Sequence, residues 1–232
     1  MNELGSIEEN IKHVEQRISE ACFRAGRKRE DVLLLPVSKT HPAKMVMELF
    51  RLGYTQFGEN RVQEMLEKMN SCDEHIRWHL IGSLQTNKVR NVIGKTALIH
   101  SLDRVSLLEE LDKRSKNAGV ITDCLVQINI SGEDTKSGLE LASVDEFLKK
   151  AQDHENIRIQ GLMTIGLYTE DKNVIRSMFK AMQCKFIDIS SKKMHNINMK
   201  HLSMGMSSDY IEAIECGATI LRIGTMIFGK RD

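Results

Sequence analysis

Proline is almost missing from this chain, with two residues in 232, tryptophan occurs once, and aromatic residues make up only 5%. No low-complexity stretch, Gly/Ser linker or fixed-period repeat divides it, so neither a linker nor a solenoid is expected. The five cysteines, Cys22, Cys72, Cys124, Cys184 and Cys216, lie far apart and contain no C-x-x-C. That excludes a zinc knuckle and a disulfide framework, and makes a reducing cytoplasm the expected setting. An excess of one charge is also lacking, with 33 Lys and Arg against 32 Asp and Glu. A general nucleic-acid or membrane-surface binder would need a basic surplus, whereas a local basic pocket needs none. There is no run of about 18 apolar residues, and Met1 to Asn10 is polar and acidic, so a soluble, unexported protein is expected. No two glycines are separated by a single residue, which removes the dinucleotide fingerprint G-x-G-x-x-G.

What is present suffices for a sizeable core: 41% apolar and 28% charged residues, in a length that fits one large domain or two small ones. Ser6 and Glu9 form a capping box ahead of Ile7, Ile11, Val14, Ile18 and Cys22, an apolar helical face that ends near Gly26. Beyond it, short aliphatic runs alternate with amphipathic stretches. The runs predict strands at Val32 to Ser38, Thr55 to Phe57, Arg77 to Ile81, Ala97 to His100, Asp123 to Ile130, Arg158 to Thr164, Lys200 to Ser203 and Thr219 to Ile223. Helices are expected between them, among them Arg61 to Asn70, a piece at Gln85 to Val92, Arg104 to Ala118 closed by Gly119, one opened by a Ser143/Glu146 capping box, and Ser208 to Cys216. Pro42 marks a first turn and Gly53 the end of that helix. Eight strands alternating with helices in a chain of this length favour a single-domain (β/α)8 TIM barrel over residues 31–230, preceded by an extra helix in residues 1–30, over an open doubly wound sheet.

In such a barrel the active face lies at the C-terminal ends of the strands. Lys39 ends the first strand there, where partial desolvation favours a neutral amine able to form a Schiff base; alternatively it is a solvated residue leading into the next helix. Ser203, Gly205, Ser207, Gly224 and Thr225 follow the seventh and eighth strands, where barrel phosphate sites are commonly built. A Gly/Ser loop with an N-cap at Ser207 or Ser208 is the plainer reading. Lysine and phosphate cradle in one mouth are jointly explained by pyridoxal phosphate.

Six blocks in order carry a family resemblance: Pro36-Val37-Ser38-Lys39-Thr40; Phe57-Gly58-Glu59-Asn60-Arg61-Val62-Gln63-Glu64; Trp78 through Lys88; Gly161-Leu162-Met163-Thr164; Leu202 through Asp209; and Arg222-Ile223-Gly224-Thr225 through Phe228-Gly229. Over about Asp31 to Lys230 the chain resembles the pyridoxal phosphate homeostasis proteins, single-domain relatives of the alanine racemase barrel. The resemblance implies that Lys39 carries the cofactor as a Schiff base, that Ser203, Met204, Ser207, Gly224 and Thr225 cradle its phosphate through backbone and hydroxyl donors, and that Asn60 lines the pocket. Arg222 matches the arginine that faces the pyridine nitrogen in racemase-like barrels. His41, His79 and Lys88 are further candidates for tuning the site or for transfer.

A guanidinium donates and cannot accept a proton, so a pyridine nitrogen opposite Arg222 stays unprotonated and is a weaker electron sink. A racemase adds a second acid/base, typically a tyrosine from a further domain. None of Tyr54, Tyr168 and Tyr210 is placed by the motifs as that base, and the chain stops at Asp232. The expectation is therefore a binder that buffers or delivers the cofactor, acting as a monomer, with apo-enzymes or cofactor-making enzymes as partners. A weak racemase and a cofactor-free Schiff-base aldolase are the alternatives. Gly224 to Lys230 fits G-x-x-x-x-G-K, but Arg231 replaces the required Ser/Thr. His75 and His79 lack H-E-x-x-H, and Ser190 to Lys193 matches S-x-x-K without its partner motifs.

Overall fold

The computed structural model describes residues 5–133 and 136–229. Lys230, the end of the expected barrel range and of the P-loop-like tail, lies outside the described residues. Eight parallel strands alternate with helices in chain order. They are β1 (Leu33–Pro36), β2 (Gln56–Glu59), β3 (Arg77–Leu80), β4 (Leu98–Leu102), β5 (Thr122–Ile128), β6 (Ile157–Thr164), β7 (Ile197–Ser203) and β8 (Ile220–Ile223). Each strand from β2 onward pairs with the one before or after it, and β8 pairs with β1 in register, Leu33 opposite Ile220 and Pro36 opposite Ile223. The last gap, between β1 and β2, is closed by one parallel bridge from Val37 to Gly58, with the Ser38 N–H donating to the Gly58 carbonyl at 3.1 Å. This is a (β/α)8 barrel.

Because side chains alternate along a strand, each strand feeds two layers. Leu35, Val37, Ile81, Leu98, Leu125, Met163 and Ile220 form a small apolar plug of their own, the barrel's interior. The opposite parity, including Leu34, Phe57, Trp78, Leu80, Ile99, Cys124 and Leu221, joins the larger layer beneath the helices. Those helices are α1 (Ile7–Arg24), α2 (Ala43–Arg51), α3 (Val62–Met69), α4 (Val105–Ala118), α5 (Val144–Ala151), α6 (Lys172–Ser191), α7 (Tyr210–Glu215) and α8 (Thr225–Phe228). The capping box at Ser6 and Glu9 is formed, and α1 packs outside the sheet on α2, α7 and α8. Gly119 ends α4 in the left-handed conformation, φ 65°.

Several local expectations need correction. Ser143 makes no side-chain cap, because a 3-10 turn over Leu141–Ser143 runs straight into α5 and holds Ser143 in helical conformation. The piece after β3 is a 3-10 turn, Thr86–Asn91. The helix expected from Ser208 begins at Tyr210, because the Asp209 carboxylate accepts the Met206 N–H at 2.6 Å and holds the preceding residues in a turn. Among the described residues no helix is long and apolar enough to cross a membrane.

Candidate functional site

A cavity of about 860 Å3 opens at the C-terminal ends of the strands. Lys39 and His41 reach it after β1, Asn60 after β2, and Gly82 and Ser83 after β3. Gln127, Asn129, Lys136 and Ser137 come from the β5 side, Ile165 and Tyr168 from the turn after β6, Met206, Ser207 and Ser208 from the turn after β7, and Arg222, Gly224 and Thr225 from β8 and its end. Six of the residues expected at a site, Lys39, Asn60, Ser207, Arg222, Gly224 and Thr225, therefore share one wall system although they lie as far as 186 positions apart (225 − 39). Lys39 is half-buried, between the solvent of the mouth and the apolar ends of β1.

Ser203 and Met204 are not brought to the cavity. Met204 is fully buried in the apolar layer beneath the helices, and its N–H donates to the Ile220 carbonyl at 3.2 Å. Ser203 points into the barrel, where its hydroxyl accepts from Arg222 Nη1 at 2.7 Å and lies 3.1 Å from His100 Nδ1. His100 Nε2 lies 3.0 Å from His79 Nδ1, and His79 Nε2 lies 3.0 Å from Gln56 Oε1. Arg222 Nη2 donates to the Thr164 carbonyl at 2.7 Å. A buried chain thus runs through the barrel from β2 to the cavity wall. Lys88 is exposed on its 3-10 turn, outside the cavity lining.

Burial sets the electrostatics of this chain. Desolvation draws His79 down from 6.5 to about 3, helped by the nearby Arg77 and His201 charges, and drives His100 well below its ordinary value, helped by His79, Arg222 and His201. Both rings are neutral at physiological pH. Arg222 is lowered by burial to about 10, with Asp209 opposing, and stays charged. His100 was missed in the sequence, although its position two residues after the inward-facing Leu98 is the parity signal that could have found it.

The turn after β7 depends on glycine. Gly205 has φ +93°, and a Cβ there would come within 2.6 Å of the Ala213 Cβ. After β8, α8 starts at Thr225, and the first N–H groups of a helical turn have no acceptor within it. With the hydroxyls of Ser207, Ser208 and Thr225, this side of the cavity presents donors suited to an anion, while Lys39 presents an amine. The arrangement can hold an anion and a carbonyl at once.

The family model for the alanine racemase N-terminal domain matches residues 3–232. A protein of Aquifex aeolicus named pyridoxal phosphate homeostasis protein is 42% identical over 224 residues, covering 96% of this chain and 97% of that one. PipY of Synechococcus elongatus, solved with pyridoxal phosphate bound, is 30% identical with a TM-score of 0.80, covering 91% of this chain and 100% of that one. Alanine racemase of Clostridium difficile, 16% identical with a TM-score of 0.74, shares the fold; the match covers 97% of this chain and 56% of that one. With a family model along its length and such relatives matched nearly end to end, the chain belongs to the pyridoxal phosphate homeostasis proteins, built on the alanine racemase N-terminal domain.

Proposed function

We propose that this protein binds pyridoxal 5'-phosphate through a Schiff base on Lys39, and that it buffers or delivers the cofactor without turnover of its own. One observation carries the reading: an amine, an anion-binding set of hydroxyls and backbone N–H groups, and a buried arginine converge on one cavity. The cavity lies within the roughly 300–1,000 Å3 of small-ligand sites. Pyridoxal phosphate supplies an aldehyde that condenses with a primary amine, and a phosphate that needs donors. Lys39 provides the amine, Ser207, Gly224 and Thr225 provide donors for the phosphate, and Asn60 lines the mouth. Ser203 and Met204 support the site from behind.

Arg222 bears on what the site does next. Two of its N–H groups are used on Ser203 and Thr164, and a guanidinium has five, so donors remain for an acceptor in the cavity. A guanidinium only donates hydrogen bonds and cannot accept one from a protonated ring nitrogen, so a nitrogen facing Arg222 stays unprotonated and the ring a weaker electron sink. That favours holding over turnover. The five thiols, none of them paired, suit a reducing cytoplasm. The receiving partners in this reading are apo-enzymes, the supplying ones cofactor-making enzymes, and the protein acts as a monomer.

Loaded protein mixed with a cofactor-free pyridoxal-phosphate enzyme, in the presence of an aldehyde scavenger that removes free cofactor, should restore that enzyme's activity. Restoration no better than that from free cofactor plus scavenger would sink delivery and leave binding intact. A second reading, weak racemase-like chemistry, draws on Tyr168, which lines the cavity. Tyr168 is 98% exposed, so water reaches the phenol that would have to serve as base. Exchange of amino-acid Cα hydrogen for deuterium at the rate of free pyridoxal phosphate is expected; exchange far above it, lost in Tyr168→Phe, would establish turnover.

A further inference from the structure

The turn bearing Lys39 rests on charged residues that do not line the cavity. Glu59, at the end of β2, is wholly buried, and its Oε1 accepts from Ser38 Oγ at 2.6 Å and from Lys68 Nζ at 2.6 Å. Lys68, on α3 and 5% exposed, also donates to the Ser38 carbonyl at 2.7 Å and to Glu64 Oε1 at 2.8 Å. An ammonium has three N–H donors, and here three acceptors surround it. Glu64 Oε1 in turn accepts the Thr40 backbone N–H at 2.5 Å.

Those two backbone groups belong to the two peptide units that flank Lys39. The Ser38 carbonyl fixes the plane before it, and the Thr40 N–H fixes the plane after it. The need for such restraint is visible in Thr40, a β-branched residue at φ +68°, in the left-handed region that persists only where the surroundings impose it. Thr40 Oγ1 donates to the Lys39 carbonyl at 2.6 Å, and the His41 N–H donates to the Ser38 carbonyl at 3.0 Å, completing the turn.

Stability alone is a weak reason to bury such a triad, since apolar residues of similar volume often serve as well. We propose that Glu59, Lys68 and Glu64 are positioning residues for Lys39: by clamping the peptide planes on both sides of it, they fix the direction in which its amine enters the cavity. The proposal rests on the reading of Lys39 as the residue that bonds the cofactor. Removing the clamp should leave the barrel intact and slow the bond's formation, because displacement of a reacting group by about an ångström costs up to about a hundredfold in rate.

The test uses the double variant Glu59→Leu/Lys68→Met, which removes the pair without leaving a buried charge unpaired, and separately Glu64→Gln. Three quantities are measured: the melting temperature, amide hydrogen exchange of residues 38–41 in cofactor-free protein, and the rate at which the Schiff-base absorption band grows after pyridoxal phosphate is added. The double variant should melt within a few degrees of wild type, exchange faster at residues 38–41, and form the band about tenfold or more slowly. Glu64→Gln, which loses the charge but keeps an acceptor, should slow it by less. A folded double variant with unchanged exchange and band growth within twofold of wild type would overturn the clamp. If the double variant does not fold, Glu64→Gln decides: band growth and residue 38–41 exchange both equal to wild type overturn the proposal, and a slowing of several-fold with raised exchange supports it. A wild type that forms no band at all would instead refute the Lys39 reading.

Discussion

Arg222 Nη1 donates to Ser203 Oγ at 2.7 Å, and this single contact sets the polarity of the buried chain behind the cavity. Arg222 can only donate, so the Ser203 hydroxyl accepts there and turns its own hydrogen toward His100 Nδ1. His100 then carries its proton on Nε2 and donates to His79 Nδ1, and His79 donates from Nε2 to Gln56 Oε1. The reverse polarity would leave the Ser203 hydrogen unused and set His79 against an acceptor. Nitrogen-15 NMR of the histidine side chains should show both rings as Nε2–H tautomers. An Nδ1–H signal from either one would contradict this assignment.

The same two histidines make stability depend on pH. Their folded pKa values are depressed, His79 to about 3 and His100 well below 6.5, so their contribution is complete above 6.5. Below that, the unfolded chain takes up protons that the folded protein refuses, at about 1.4 kcal/mol per pH unit for each ring. His201, also lowered by burial, acts in the same direction, while His75, raised by Asp73 at the exposed surface, opposes it. From pH 7 to 5.5 the buried pair should cost about 2–3 kcal/mol, or roughly 5–10 °C in Tm. The variant His79→Gln/His100→Gln should lose most of that dependence. Equal slopes in the variant and the wild type would show that the pair takes up protons in the folded state.

Gly82 joins two strand ends at the cavity. A Cβ at this position would lie 2.2 Å from the Asn60 carbonyl oxygen, a backbone atom that moves only if the end of β2 moves. Gly82→Ala should therefore destabilise by about 1–3 kcal/mol and weaken cofactor binding by displacing Asn60. Calorimetry and a binding titration check both effects. Wild-type values for both would mean that the two turns are not locked together.

The barrel was legible because parallel strands covered on both faces read as aliphatic runs, and all eight such runs became strands. Their ends were less so. The run expected to stop at Phe57 continues to Glu59, because Glu59 is tolerated inside the barrel wall only through Ser38 and Lys68, neither of them a sequence neighbour. Lys39, Asn60, Ser207, Arg222, Gly224 and Thr225 were readable from the rule that strand ends gather at one face. Ser203 and Met204 belong to the same block but point away from the cavity, into the barrel and into the outer apolar layer, and motif membership carries no direction. Nothing local marks Lys68 as more than one more charge on an amphipathic helix; its role appears only when β1, β2 and α3 meet.

The central claim is that Lys39 bonds the cofactor, and absorption spectroscopy of wild type beside Lys39→Ala tests it most directly. Wild type with added pyridoxal phosphate should show a Schiff-base band that borohydride reduction fixes to the chain at Lys39, and Lys39→Ala should show none. A wild type that stays colourless, or a Lys39→Ala variant that forms the same reducible band at the same cofactor concentration, would contradict it.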